Sequence, residues 1–222
     1  MPQSVIVTCG PAYEPIDAVR RITNHSTGEL GAALAEALAA EGFDVLCLRG
    51  EMASFPAPHG VRVLDFSTNE SLRIELEKIN EPPAAIFHAA ALGDFVVAGI
   101  EGAEITGKIT SGTPELRISL RPAAKLLPDL RDLFPESLIV GWKYELDGTR
   151  PDVLAKGHKQ IATARTDACV VNGAAYGPGF GFLEPGTSDE GRHLSDKAAL
   201  SAFLRAWTRE QITLRSADAA EG

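Results

Sequence analysis

Short apolar runs recur along the chain at Val5–Cys9, Val45–Leu48, Val61–Phe66, Ala84–His88, Leu138–Trp142 and Ala168–Val171. Most are continuous rather than alternating, the pattern of parallel strands covered on both faces. Helical periodicity fills the intervals. From about Gly28 to Glu41, residues Leu30, Ala33, Leu34, Ala37 and Leu38 form one stripe, and Gly42 is placed to end the helix. Ser67 and Glu70 have capping-box spacing before a helix that ends near Asn80. Thr149 and Asp152, with Pro151 in the first turn, open another helix that reaches about Ala164. Pro122 can start a helix through Leu133, and Ser195 precedes one in which Leu200, Phe203, Leu204 and Trp207 share a face. Strand–helix alternation predicts the α/β class: a Rossmann-like open, mostly parallel sheet with helices on both faces. A single domain over 1–215 is expected, with 216–222, small and polar, as a disordered tail.

Two segments interrupt the rhythm. Gly10–Ser26 is far longer than the ~2–6 residues usual for a strand-to-helix loop. Between His88 and Pro122 lies a second long stretch, ending in the alternating run Glu115–Leu120. Alternation there predicts an extended strand outside the parallel core, part of an arm at about 96–121 of the kind that joins two copies of a chain. Long structured loops at the carboxyl ends of strands are where α/β folds place function.

Charge narrows the partners. Lys and Arg total 21 against 30 Asp and Glu, a net charge of −9, which argues against binding nucleic acid. No apolar run reaches the ~20 residues of a membrane helix, and no membrane partner is expected. The three cysteines, Cys9, Cys47 and Cys169, end apolar runs without metal-ligand spacing, so buried reduced thiols and a cytoplasmic location are expected.

The candidate chemistry gathers in the first long loop. Ser26, Thr27, Gly28 and Gly31 stand at the N-terminus of the first helix, where free N–H groups and the positive dipole end suit a phosphate. Simple packing of that helix on the sheet is the alternative. Gly10 is followed by Pro11, so GxGxxG is absent, as is GxxxxGK[ST]. Arg20, Arg21, Asn24 and His25 precede the helix and offer donors for phosphate or carboxylate, although an arginine there can also pair with Glu14 or Asp17.

The stretch EPIDAVRRITNHSTGELGAALAEAL resembles the opening signature of the phosphopantothenoylcysteine synthetase (phosphopantothenate–cysteine ligase) family, ExxDxVRxxxNxSSGxxGxxxA. HAAALGDF at 88–95, GKITS at 107–111, KLL at 125–127, GWKYE at 141–145 and CVVNG at 169–173 follow in the family's order. The resemblance implies a ligase of coenzyme A biosynthesis. It activates the carboxylate of 4′-phosphopantothenate with a nucleoside triphosphate, ATP or CTP, carried with Mg²⁺, releases pyrophosphate, and then forms an amide with L-cysteine. It implies that Asn24 contacts phosphopantothenate and orients the intermediate, and that Arg20 reaches the substrate of the neighbouring subunit in a homodimer. Ala90, Ala91 and Asp94 fall on the pantothenate-contacting segment, and Lys108 on the family's essential lysine. Gly10, Ser26, Gly28 and Gly31 fall on the family's phosphate-binding loop, and Trp142 and Asn172 on positions at strand ends that flank the base and ribose. The chain begins almost at the first strand, and the monofunctional form, without a flavin-binding half and without FMN, is expected. The chain differs from the family in having Gly10-Pro11 for Gly-Gly and one lysine near Lys108 where bacterial members carry two or three. The alternatives are a Rossmann-like NAD(P)-dependent oxidoreductase, disfavoured by the missing GxGxxG and Tyr-x-x-x-Lys, and a non-catalytic paralogue that binds nucleotide or pantothenate derivatives.

Overall fold

The computed structural model describes residues 2–101, 107–110, 112, 115–186 and 190–221. The middle of the arm (102–106, 111, 113–114), with Ser111 of the GKITS motif, and the last residue of the tail, Gly222, lie outside the described residues. Six strands form the parallel body: β1 (Ser4–Cys9), β4 (Asp44–Gly50), β5 (Arg62–Phe66), β6 (Ala85–His88), β9 (Leu138–Tyr144) and β10 (Ala168–Asn172). They follow all six apolar runs of the sequence. Two short strands, β11 (Phe180–Leu183) and β12 (Arg192–Leu194), extend the sheet antiparallel, giving the order β12-β11-β10-β9-β6-β1-β4-β5.

The helices are α1 (Glu29–Ala40), α2 (Asn69–Glu77), α3 (Leu126–Leu133), α4 (Arg150–Ala164) and α5 (Lys197–Glu221). Alternate residues of the central strands feed opposite cores, which is why their runs are apolar on both faces, whereas the edge strand β5 leaves Leu64 exposed. Val5, Val7 and Cys9 of β1 pack with Leu34 and Leu38 of α1 and with Leu200, Leu204 and Trp207 of α5. Ile6, with Leu46 and Leu48 of β4, packs with Leu72 and Leu76 of α2 and Leu130 of α3. Cys169 and Val171 continue that second face under Val153 and Ile161 of α4. Each fully buried leucine here contributes about 1.5–3 kcal/mol. Cys9, Cys47 and Cys169 are buried free thiols.

The chain leaves β1 through α1 to β4 and β5, then returns through α2 to β6 on the other side of β1. The direction of progression therefore reverses between β1 and β6, and their carboxyl ends open a crevice there.

Several local expectations are corrected. The cap of α2 is Thr68 with Ser71, each side chain accepting from the other's backbone N–H; Ser67 instead gives its carbonyl to the N–H of Tyr13 at 2.9 Å. Pro122 does not start α3. It is the last residue of β8 (Arg117–Pro122), opposite Phe95 of β7 (Phe95–Glu101), so the helix waits until Leu126. Asp196 rather than Ser195 caps α5, its Oδ1 accepting from Ala199 N at 2.8 Å. Helix α5 continues to Glu221, through the segment read as a tail: its three alanines favour the helix, which needs no tertiary partner for its i→i−4 bonds. The first long loop contains a hairpin, β2 (Tyr13–Pro15) and β3 (Arg21–Thr23).

Candidate functional site

Two loops zip together at the crevice. Gly10, with φ +75, turns the chain after β1. Its carbonyl accepts from Ala91 N at 2.9 Å, and the Ala91 carbonyl accepts from Ala12 N at 3.0 Å. Beneath them the Thr8 hydroxyl accepts from Ala90 N at 3.2 Å and bonds His88 Nδ1 at 2.9 Å. The hydroxyl can donate to Nδ1 or accept from it, according to the tautomer of the ring. Burial pushes the His88 pKa down to about 4.

The start of α1 meets the same turn. Gly28 (φ +80) serves as its cap without a side-chain acceptor. A Cβ on Gly28 would stand 3.3 Å from Gly10 Cα and 3.0 Å from Ala53 Cβ, so both glycines are fixed by close approach as well as by φ. A Cβ on Gly31 would stand 2.4 Å from Cys9 Cβ, which lets the first turn of α1 sit directly over the end of β1. The loop after β4 covers the pair, with Phe55 N donating to the Thr27 carbonyl at 3.0 Å. Half-buried Ser26 lies just ahead. These small residues leave room for an anion at the N-terminus of α1, where Thr27 Oγ1 already accepts from Glu29 N at 3.3 Å. Glu29 pairs with Lys197 of α5.

The β2–β3 hairpin carries the polar residues. Asn24 donates from Nδ2 to the Leu92 carbonyl at 2.7 Å, which ties the hairpin to the Ala90–Ala91 loop. Arg21 lies 4.2 Å from the centre of the Tyr13 ring and 3.8 Å from Glu51. Arg20 pairs with Asp17 in its own hairpin, and also donates to the Ile109 carbonyl at 3.2 Å. The Asp17 side chain is wholly buried and accepts from the N–H groups of Val19 (2.9 Å), Arg20 (2.8 Å) and Ile109 (3.0 Å). Burial opposes its ionisation, but these backbone donors and the Arg20 guanidinium hold its pKa down to about 2. Lys108 is exposed on the segment fastened there.

Beside the zipped loops is a cavity of about 140 Å³ lined by His88, Ala90, Asp94, Lys125, Trp142 and Gln160, among others. The buried Trp142 Nε1 has no hydrogen-bond partner among the described residues. Its carbonyl accepts from Gln160 at 3.3 Å. Asp94 and Lys125 form an exposed ion pair at the rim. Asn172 stands one strand further out, at the end of β10, and its carbonyl accepts from Glu145 N at 3.0 Å. Lys156, and then Lys143, hold the Glu145 carboxyl below its usual range, so Lys143 is already engaged at 3.0 Å.

The structure thus brings Gly10, Gly28, Gly31, Asn24, Ala90 and Ala91 to one crevice, with Asp94 and Trp142 in the adjoining cavity, Arg20 on the hairpin and Lys108 on the segment bonded to it. Asn172 is not among the residues that line that cavity. Sequence reasoning missed Asp17 as an organiser and Gln160 as part of the cavity. An aspartate two and three residues before the N–H groups it caps is a turn signal that could have found the first. Among the described residues no three His, Cys, Asp or Glu side chains gather to hold a metal, and no helix is long and apolar enough to cross a membrane.

A curated protein of an unknown prokaryotic organism, named cysteine/cysteine sulfinic acid decarboxylase, is 33% identical over 180 residues, 80% of this chain and 47% of its own length. The coenzyme A biosynthesis bifunctional protein CoaBC of Thermococcus kodakarensis is 33% identical over 169 residues, 76% of this chain and 40% of its own. The chain therefore spans less than half of these relatives. Among solved structures, a DNA/pantothenate metabolism flavoprotein from Streptococcus pneumoniae superposes with a TM-score of 0.82 at 21% identity, over 94% of this chain and 99% of that one. A Cab2 variant in complex with phosphopantothenate-cysteine superposes with a TM-score of 0.77 at 20% identity, over 98% and 89%. These two show the same Rossmann-like fold. Residues 2–188 match the family described as DNA/pantothenate metabolism flavoprotein C-terminal domain, and the chain belongs to that family.

Proposed function

We propose that this domain is a phosphopantothenate–cysteine ligase. The observation that carries the reading is the crevice between β1 and β6. There, Asn24 and the Ala90–Ala91 loop meet a glycine-built helix N-terminus, in a chain that belongs to the family of the CoaBC C-terminal region. A carboxylate resists attack by an amine at neutral pH. In the first step a carboxylate oxygen of 4′-phosphopantothenate attacks the α-phosphorus of the nucleoside triphosphate and pyrophosphate leaves. In the second the cysteine amine attacks the acyl carbon, loses a proton, and the nucleoside monophosphate leaves. Such transfers need mainly positioning and charge neutralisation.

The phosphates would lie on the N–H groups of Gly28–Gly31 beside Gly10 and Ser26. The base and ribose would enter the cavity at Trp142, whose unpaired Nε1 offers a donor, with Asp94 at its edge and Asn172 one strand further out. Asn24 would orient the acyl group, and Lys108 would neutralise charge on the transferring phosphates. Mg²⁺ belongs to the cosubstrate and would arrive on the triphosphate, held chiefly by its oxygens. Arg20 would serve the site of a second copy. Phe95 and Leu120, on one face of the β7–β8 arm, are 54% and 44% exposed and offer the apolar contact for a homodimer. The buried reduced thiols favour a cytoplasmic enzyme.

The test is to supply phosphopantothenate, cysteine, and ATP or CTP in turn. Pyrophosphate release that requires phosphopantothenate, followed by an amide on adding cysteine, is expected. Nucleotide hydrolysis indifferent to phosphopantothenate would sink the reading, and the rates with the two triphosphates decide between them.

A further inference from the structure

The buried Asp17 carboxylate joins two distant parts of the chain. It sits in the turn of the β2–β3 hairpin, yet it accepts the N–H of Ile109 at 3.0 Å, across 92 positions of sequence. Around it the contacts are reciprocal. Arg20, ion-paired to Asp17, donates to the Ile109 carbonyl at 3.2 Å, and Ala18 N donates to the Gly107 carbonyl at 3.3 Å. The residues on either side of Lys108 are thus bonded to one hairpin turn, and Ile109 is buried against it. Lys108 itself is exposed, with a flexible four-carbon stem. Fixing the backbone on both sides of a mobile cation limits the volume its ammonium can sweep.

We propose that Asp17 is a positioning residue: its carboxylate clamps residues 107–109 to the β2–β3 turn and thereby aims Lys108 at the reacting phosphates. The aim of Lys108 rests on the ligase reading, whereas the clamp does not. A carboxylate suits the role because it accepts only. Four donors converge on its two oxygens, two from its own turn, one from the 107–110 segment and one from Arg20, and no other side chain of that length accepts so many. An asparagine in its place keeps the size but turns an NH₂ toward those donors, so at least one bond must open.

Asp17→Asn, Lys108→Ala and the double variant of the full chain separate the two parts. Hydrogen exchange of residues 107–110 reads the clamp directly, whatever the reaction. We expect faster exchange there in Asp17→Asn, with β1 still protected and the circular dichroism spectrum unchanged; Lys108→Ala leaves that exchange as it is. Pyrophosphate release should fall roughly 100-fold in kcat in Asp17→Asn, with the KM for phosphopantothenate within about threefold, as for a misplaced rather than missing group. The double variant should be no slower than Lys108→Ala, since a clamp for an absent lysine has nothing left to aim. Unchanged exchange at 107–110 would overturn the clamp. Faster exchange with wild-type turnover, or losses that multiply in the double variant, would overturn the aiming of Lys108. If Lys108→Ala alone retained full turnover, the role given to Lys108 in the ligase reading would fall while exchange still decided the clamp. Should Asp17→Asn fail to fold, Arg20→Ala, which removes one donor to the Ile109 carbonyl, must show the same faster exchange.

Discussion

The side-chain amide of Asn24 donates to the carbonyl of Leu92 at 2.7 Å, so the hairpin after β1 and the loop after β6 share a hydrogen bond across the crevice. Asn24→Asp keeps the size but sets a carboxylate against that carbonyl, and Asn24→Ala removes the donor. Both should slow amide formation more than pyrophosphate release, because the acyl group loses its orientation after it has been activated. A loss of roughly 100-fold in the second step is expected, with less than about tenfold in the first. Rapid-quench measurement of pyrophosphate and amide in the same samples checks it, and equal losses in the two steps would contradict it.

Lys108 is exposed and its removal leaves the core intact. Lys108→Ala should lower pyrophosphate release by about 10²–10³-fold, the usual effect of deleting one group that stabilises transition-state charge, while the melting temperature stays unchanged. Lys108→Arg should recover part of the rate. A steady-state assay with a coupled pyrophosphate readout is sufficient, and a wild-type rate in the alanine variant would remove Lys108 from the reaction.

Gly50 ends β4 against the turn that replaces the family's Gly-Gly. A Cβ there would stand 2.2 Å from the Pro11 oxygen, which is backbone and cannot rotate away. Gly50→Ala must therefore move the Gly10–Pro11 turn or the start of the β4 loop. We expect a destabilisation of about 1–3 kcal/mol, as for overpacking elsewhere, and a raised KM for the triphosphate with the KM for cysteine unaffected. Urea unfolding and nucleotide titration measure the two effects separately. A variant with native stability and native nucleotide affinity would show that the turn does not shape the cradle.

The parallel body was readable because burial on both faces leaves an unbroken apolar run, as in Val5–Cys9 and Leu138–Trp142. The edge strands β11 and β12 were not. They are short and flanked by glycines, and their pairing comes from neighbours distant in sequence, Cys169–Val171 for β11. Capping was readable where a single geometry was available, at Thr149 and Asp152. It slipped by one residue at Thr68, where three hydroxyl residues compete and the Tyr13 N–H occupies the Ser67 carbonyl. In the site, residue types and order pointed to Asn24 and the glycines. They did not show that Asp17 also holds Ile109, because that depends on the 107–110 segment folding back across the hairpin.

His88 sets a pH limit on the same crevice. Its ring is buried, bonded to Thr8, and its pKa is lowered by burial from 6.5 to about 4. Between those values the unfolded chain binds a proton that the folded chain excludes, so stability falls as pH falls through this window. Above pH 6.5 the contribution is complete; below about 4 both states are protonated and no further loss comes from this residue. The linked loss is on the order of 3 kcal/mol across the window. His88→Asn keeps a polar partner for the Thr8 hydroxyl but cannot titrate. It should be less stable than the wild type at pH 7.5, yet it should lose less stability between pH 6.5 and 4. Urea unfolding at half-unit pH steps compares the two slopes. Parallel slopes would mean that His88 titrates near its ordinary value and that the Thr8 hydroxyl does not hold a neutral ring beneath the Ala90–Ala91 loop.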